Sequence, residues 1–172
     1  MRILGAILAG GEARRFGRDK ARAEWNGKPL FDWVAEALTA QCEAMVVCGR
    51  EEVGFQCLSD QPEPGLGPLG GLYAALCHAS EHGFSHVLSA GVDAPNLPHT
   101  LLQELAGEGA AIVESQPVVG LWPSDLANTL AAYLAQDRRA LYGFAERVEA
   151  RRVTLNPPLL NINRPKDLGE NP

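Results

Sequence analysis

The chain has 172 residues, 46% hydrophobic and 21% charged, with a formal net charge of −6, the profile of one compact domain spanning 1–172. At this length folding buries roughly 70% of the extended surface, so neither a disulfide nor a metal staple is needed. The acidic balance excludes a protein that lives on nucleic-acid backbone or anionic lipid, and neither nucleic acid nor membrane is expected as a partner.

Residues 3–8 form a short apolar run ending at Gly10 and Gly11, the pattern of a buried strand feeding a loop. The run is too short for a membrane span and lacks the core and cleavage site of a signal peptide. Pro29 is placed at the first helical position, ahead of Leu30, Val34, Ala37 and Leu38 at helical spacing. Strands are predicted over 45–47 and 55–58, then a Pro/Gly-rich loop over 62–71 and a helix over 72–80. A strand over 87–89 and a short helix over 98–105 follow, and 110–113 and 118–121 are spaced to pair as a hairpin. Helices are predicted over 126–135 and 139–145, a strand over 151–155, and a last short helix after Pro165. Alternation of this kind predicts an α/β, three-layer Rossmann-like domain, a mostly parallel sheet with helices on both faces. Ligands then bind at the carboxyl ends of strands, in the loops after Leu8, Val47, Leu58 and Ser89.

Charge is segregated along the chain. From Glu51 to Asp137 there are eleven acidic residues and no Lys or Arg; the first fifty residues carry eight basic and six acidic, the last thirty-five seven and four. The permanent cations therefore sit at the two ends of the sequence, and an anionic ligand must be met there. The four cysteines, Cys42, Cys48, Cys57 and Cys77, show no Cys-x-x-Cys spacing and read as buried thiols in a reducing cytoplasm.

The first loop carries the strongest signal. Gly10 and Gly11 follow the strand directly, so bare N–H groups can approach a ligand, and Arg14, Arg15, Arg18 and Lys20 crowd in behind them. Four cations this close repel one another unless an anion neutralises them, and a triphosphate fits. The spacing is neither a Walker loop nor a dinucleotide fingerprint. Asp93, beyond the fourth strand and beside Pro95, is placed either to hold Mg²⁺ against phosphate oxygens or to shape the turn before Pro98. His78, His82 and His86 are four apart, but Gly83 interrupts them and no further ligand completes a zinc set. No serine stands in a Gly-x-Ser-x-Gly setting. Of the tryptophans, only Trp122, after a strand and beside Pro123, is a candidate for stacking.

Leu8-Ala9-Gly10-Gly11, then Phe16-Gly17 and Asp19-Lys20, then Asn26-Gly27-Lys28-Pro29-Leu30 resemble the signature of nucleotidyltransferases with a glycosyltransferase-A-like fold. With Gly67-Pro68-Leu69-Gly70-Gly71, Asp93-Ala94-Pro95, Gln116-Pro117, Gly120-Leu121 and Asn161-Ile162-Asn163-x-Pro165-x-Asp167-Leu168, the chain most resembles the molybdenum cofactor guanylyltransferases. The resemblance implies GTP and molybdopterin (or molybdenum-molybdopterin) as substrates, Mg²⁺ as cofactor, and transient contact with other cofactor-biosynthesis proteins. It implies a catalytic set of Arg14, Lys20 and Asp93, with Asp93 on the metal. Leu8, Ala9, Gly10, Gly11, Lys20, Asp60 and Asp93 would bind nucleotide and metal. Asn161 and Asn163 would meet the second substrate, for which the basic C-terminal segment is a further candidate. The chain departs from the family at Cys48, where an Asn is usual. A cytidylyltransferase of the same cofactor, a sugar-nucleotide pyrophosphorylase and a non-catalytic nucleotide-binding protein are the alternative expectations.

Overall fold

The computed structural model describes residues 1–10 and 19–169. Strand β1 (Ile3–Leu8) is buried along almost its whole length, as a strand covered on both faces must be. A 3₁₀ turn (Lys20–Arg22) leads to a two-stranded hairpin, β2 (Glu24–Trp25) and β3 (Lys28–Pro29). Its corner is Asn26-Gly27, with φ of +50° and +79°, the left-handed pair of a type I′ turn. Asn-Gly is the dipeptide such a turn favours, and this hairpin is absent from the predicted elements. Pro29 consequently caps helix α1 (Leu30–Thr39) from outside rather than occupying its first turn.

Next come β4 (Ala44–Cys48), β5 (Gln56–Leu58) and helix α2 (Pro68–Glu81). Helix α2 starts four residues earlier than predicted, with Pro68 at its first position and Gly67 turned to φ +66° before it. Within this helix, Gly70 and Gly71 are glycines because other groups press on them. A Cβ at Gly70 would stand 3.1 Å from the Asp60 carboxylate, and one at Gly71 3.1 Å from Cys48 Cβ. Strand β6 (His86–Ala90) and helix α3 (Leu101–Leu105) follow; α3 begins at Leu101, after a turn closed by its N–H on the Pro98 carbonyl. The predicted hairpin forms from β7 (Ala111–Val113) and β8 (Gln116–Pro123). Helices α4 (Ala127–Ala135) and α5 (Leu141–Arg147), strand β9 (Arg151–Val153) and helix α6 (Pro165–Gly169) complete the chain.

Seven strands form one sheet in the order β5-β4-β1-β6-β8-β7-β9, and only β8 runs against the others. One face is covered by α1 and α3, whose Phe31, Val34, Leu38 and Leu101 pack on Ile7, Val47 and Leu88. The other is covered by α2, α4 and α5, through Leu72, Leu76, Leu130 and Phe144 against Leu4, Val46 and Trp122. Trp122 is fully buried, stacks on Phe144 and donates its indole N–H to Ser89 Oγ at 3.0 Å; it is a core residue, not a stacking platform. Among the described residues no helix is long and apolar enough to cross a membrane.

Register positions the site. Leu8 pairs with Cys48 and Cys48 with Leu58, so β1, β4 and β5 end on one line. The chain moves from β1 outward to β5, then returns to place β6 on the other side of β1. The strand order reverses there, the place where such sheets open a crevice.

Candidate active site

The carboxyl ends of β1, β4, β5 and β6 border a cavity of about 340 Å³. Leu8, Ala9, Gly10, Lys20, Asp60, Asp93 and Asn163, all predicted site residues, line it. Gly11, Arg14, Arg15 and Arg18, also predicted for the phosphate loop, lie outside the described residues. Asn161 is exposed and is not among the lining residues. Asn163 does line the cavity, and the Asp167 carboxylate accepts its N–H at 2.9 Å just ahead of α6.

Lys20 and Asp93 meet across the crevice. Lys20 Nζ lies 2.5 Å from Asp93 Oδ1, with the lysine side chain 15% and the aspartate 35% exposed. A half-buried pair of this kind attracts more strongly than one in open water, because solvent screens it less. Lys20 is itself fixed from below. Asp19 caps the 3₁₀ turn by accepting the Ala21 N–H, and Arg50 grips Asp19 with both terminal nitrogens, at 2.8 and 2.9 Å. This two-point grip holds the Asp19 carboxyl below its usual range. Arg50 also approaches Glu52 at 3.3 Å, and Glu52, nearly buried, pairs with Arg22.

Arg50 and Gly49 were not singled out from the sequence. Gly49 lies back to back with Gly10: a Cβ on Gly49 would fall 2.4 Å from Gly10 Cα. The signal available was the same one that marked Gly10, a glycine directly after a buried strand. Asp60 rests against the first turns of α2, and burial raises its carboxyl above the ordinary range. Cys48 forms part of the cavity wall and is 1% exposed; burial pushes its thiol up to about 12. It is a neutral, apolar surface there, not a nucleophile.

Among the described residues no three His, Cys, Asp or Glu converge on a metal site. Three carboxylates line the cavity: Asp19 is gripped at both oxygens by Arg50, Asp93 meets Lys20 through Oδ1, and Asp60 stands beside α2; Asp93 and Asp60 are the candidate donors. That donor set suits a Mg²⁺-type ion, which takes one or two carboxylates and completes its shell with substrate oxygens and water. His78 and His82 stack on each other at 4.1 Å, while His86 bonds Ser85 from its own strand. The histidines therefore do not converge.

A family model described as the MobA-like NTP transferase domain matches residues 5–152. The chain is 40% identical, over 98% of its length and 94% of the relative's, to a molybdenum cofactor guanylyltransferase of Cereibacter sphaeroides. The crystal structure of a molybdopterin-guanine dinucleotide biosynthesis protein A from Archaeoglobus fulgidus superposes with a TM-score of 0.78 at 24% identity, covering 98% of this chain and 96% of that one. A Mycobacterium tuberculosis protein solved in complex with manganese shares the fold at a TM-score of 0.69 and 12% identity, covering 99% and 97%. A seven-stranded sheet reversed at β1, a lysine and an aspartate closing its crevice, and this likeness along the whole chain lead to one assignment: the chain is a nucleotidyltransferase of the MobA-like NTP transferase family.

Proposed function

We propose that the protein transfers GMP from MgGTP to the terminal phosphate of molybdopterin, or of its molybdenum-bearing form, giving molybdopterin guanine dinucleotide and pyrophosphate. The carrying observation is the Lys20–Asp93 pair at the sheet's reversal point, in a chain 40% identical to a relative named for that activity. We place the reaction in the cytoplasm, in keeping with four free thiols.

The acceptor is a phosphate monoester, whose second pKa is about 6, so it is already an anion at neutral pH and needs no general base. One of its oxygens bonds to the α-phosphorus of GTP; the bond to the β-phosphate oxygen breaks, and pyrophosphate leaves with that electron pair. The protein's task is positioning and charge neutralisation. Lys20 supplies a cation already held at the cavity, and Gly10, which lines it without a side chain, offers backbone that phosphate can approach. Arg14 completes the cationic set in this reading. Asp93 would hold Mg²⁺, which when bound neutralises phosphate charge and draws electron density from the phosphorus. Asp60, beside α2, is assigned to the nucleoside, and Asn163 to the second substrate.

Turnover with molybdopterin, Mg²⁺ and each of GTP, CTP and ATP, read as pyrophosphate release, tests the assignment. GTP is expected to give the highest kcat/KM. A preference for CTP would replace guanine with cytosine in the assignment, and GTP binding without pyrophosphate release would make the protein a carrier.

Asp60→Asn separates binding from folding. Because burial raises the folded carboxyl, the fold keeps a proton that the unfolded chain has already released, and stability from this group falls as pH rises through that interval. The amide removes the penalty. A small rise in Tm is expected at pH 7, shrinking toward pH 4, together with about tenfold weaker GTP binding from the lost carboxylate contact. Unchanged GTP affinity in a titration would take Asp60 out of the nucleoside site.

A further inference from the structure

After β9 the chain does not join the sheet again. It crosses back over the sheet's carboxyl edge as an extended strap toward the Asp93 loop, and Asn163 reaches the cavity at its end. Backbone in such a segment still needs hydrogen-bond partners, and two side-chain amides supply them. Asn96 Oδ1 accepts the Leu160 N–H at 2.8 Å, and Asn96 Nδ2 donates to the Pro158 carbonyl at 3.1 Å. Gln116 Nε2 donates to the Leu160 carbonyl at 2.6 Å. Leu160 is thus gripped at both its N–H and its C=O, as a neighbouring strand would grip it. Two residues on, the Ile162 N–H donates to the Asp93 carbonyl at 2.8 Å, and the Ile162 side chain is buried with Ala23 and Leu30.

The two amides come from the elements that build the cavity. Asn96 stands three residues beyond Asp93 in the loop after β6, and Gln116 opens β8, the strand that brings Val118 to the cavity wall. Gln116 is 7% exposed, and a buried amide donor is costly to leave without a partner. Its place is therefore specified by the strap.

We infer that Asn96 and Gln116 are positioning residues: they clasp Leu160 and thereby set Asn163 beside Asp93, where the second substrate is received. The last clause rests on the function proposed above, whereas the clasp itself does not. Neither residue touches the nucleotide cavity directly, so removing the amides should loosen the strap and the acceptor site while sparing the nucleotide.

The test uses the full chain carrying Asn96→Ala, Gln116→Met, both together, and the conservative Asn96→Asp, which keeps the acceptor for Leu160. Amide hydrogen exchange at Leu160 and Ile162 is measured by NMR, GTP affinity by titration, and KM for molybdopterin by pyrophosphate release. In the double variant, exchange at both amides should quicken by tenfold or more and KM for molybdopterin should rise about tenfold, with GTP affinity changed less than twofold. Asn96→Asp should recover most of the protection at Leu160 and most of the KM. Unchanged exchange at Leu160 and Ile162 would overturn the clasp. So would loss of GTP affinity in step with KM, since the amides would then be supporting the whole site. If the wild-type protein does not turn over molybdopterin, the proposed function falls, and the exchange and GTP measurements still decide the clasp.

Discussion

Lys20→Ala is expected to lower turnover at least 100-fold, about the effect of removing one contact that stabilises developing charge. The lysine is mostly enclosed and paired with Asp93, so its ammonium is held at the cavity before phosphate arrives. The variant should still fold. Asp19 keeps its cap on the turn and Arg50 keeps its grip on Asp19, so the turn's attachment does not depend on the Lys20 side chain. Pyrophosphate release under saturating GTP and molybdopterin measures the effect, and a Tm near that of wild type shows that it is chemical rather than structural. Activity within a few-fold of wild type would remove Lys20 from the mechanism.

Gly49→Ala carries the largest expected cost in stability. The residue sits at φ +88°, and an added Cβ would fall 2.4 Å from Gly10 Cα and 2.8 Å from Gly10 N. Both neighbours are backbone, so relief requires the loops after β1 and β4 to separate. Left-handed strain and forced repacking together come to about 3 kcal/mol, on the order of a 10 °C fall in Tm for a domain this size. Gly54→Ala is the matched control, with φ +89° but no atom within 4 Å of the new Cβ. It should lose about 1 kcal/mol, the backbone strain alone. Equal losses in the two variants would show that the Gly10–Gly49 contact contributes nothing.

The parts of the site that were legible in the sequence are those written locally. A buried strand ending in glycines, a lysine twelve residues after Leu8 and an aspartate shortly after β6 each declare themselves within a few residues. Contacts between segments were not legible. Nothing near Arg50 says that its partner is Asp19, thirty-one residues away, and nothing near Gln116 points to Leu160, forty-four residues on. The start of α2 was misplaced for a related reason. Gly70 and Gly71 read as loop because glycine weakens a helix, yet here they make room for Asp60 and Cys48, groups supplied by other strands. Asn161 and Asn163 are named together only through the resemblance of the Asn-x-Asn segment to its family, and of the two only Asn163 lines the cavity. The Asp167 cap on the Asn163 N–H is likewise not shown by the spacing alone.

The cysteine in the cavity wall has a consequence for how the protein withstands its surroundings. Oxidants and alkylating agents attack the thiolate, and a thiol raised to about 12 presents almost none at neutral pH. Although Cys48 stands in the cavity wall, its buried, neutral thiol is a poor target for peroxide.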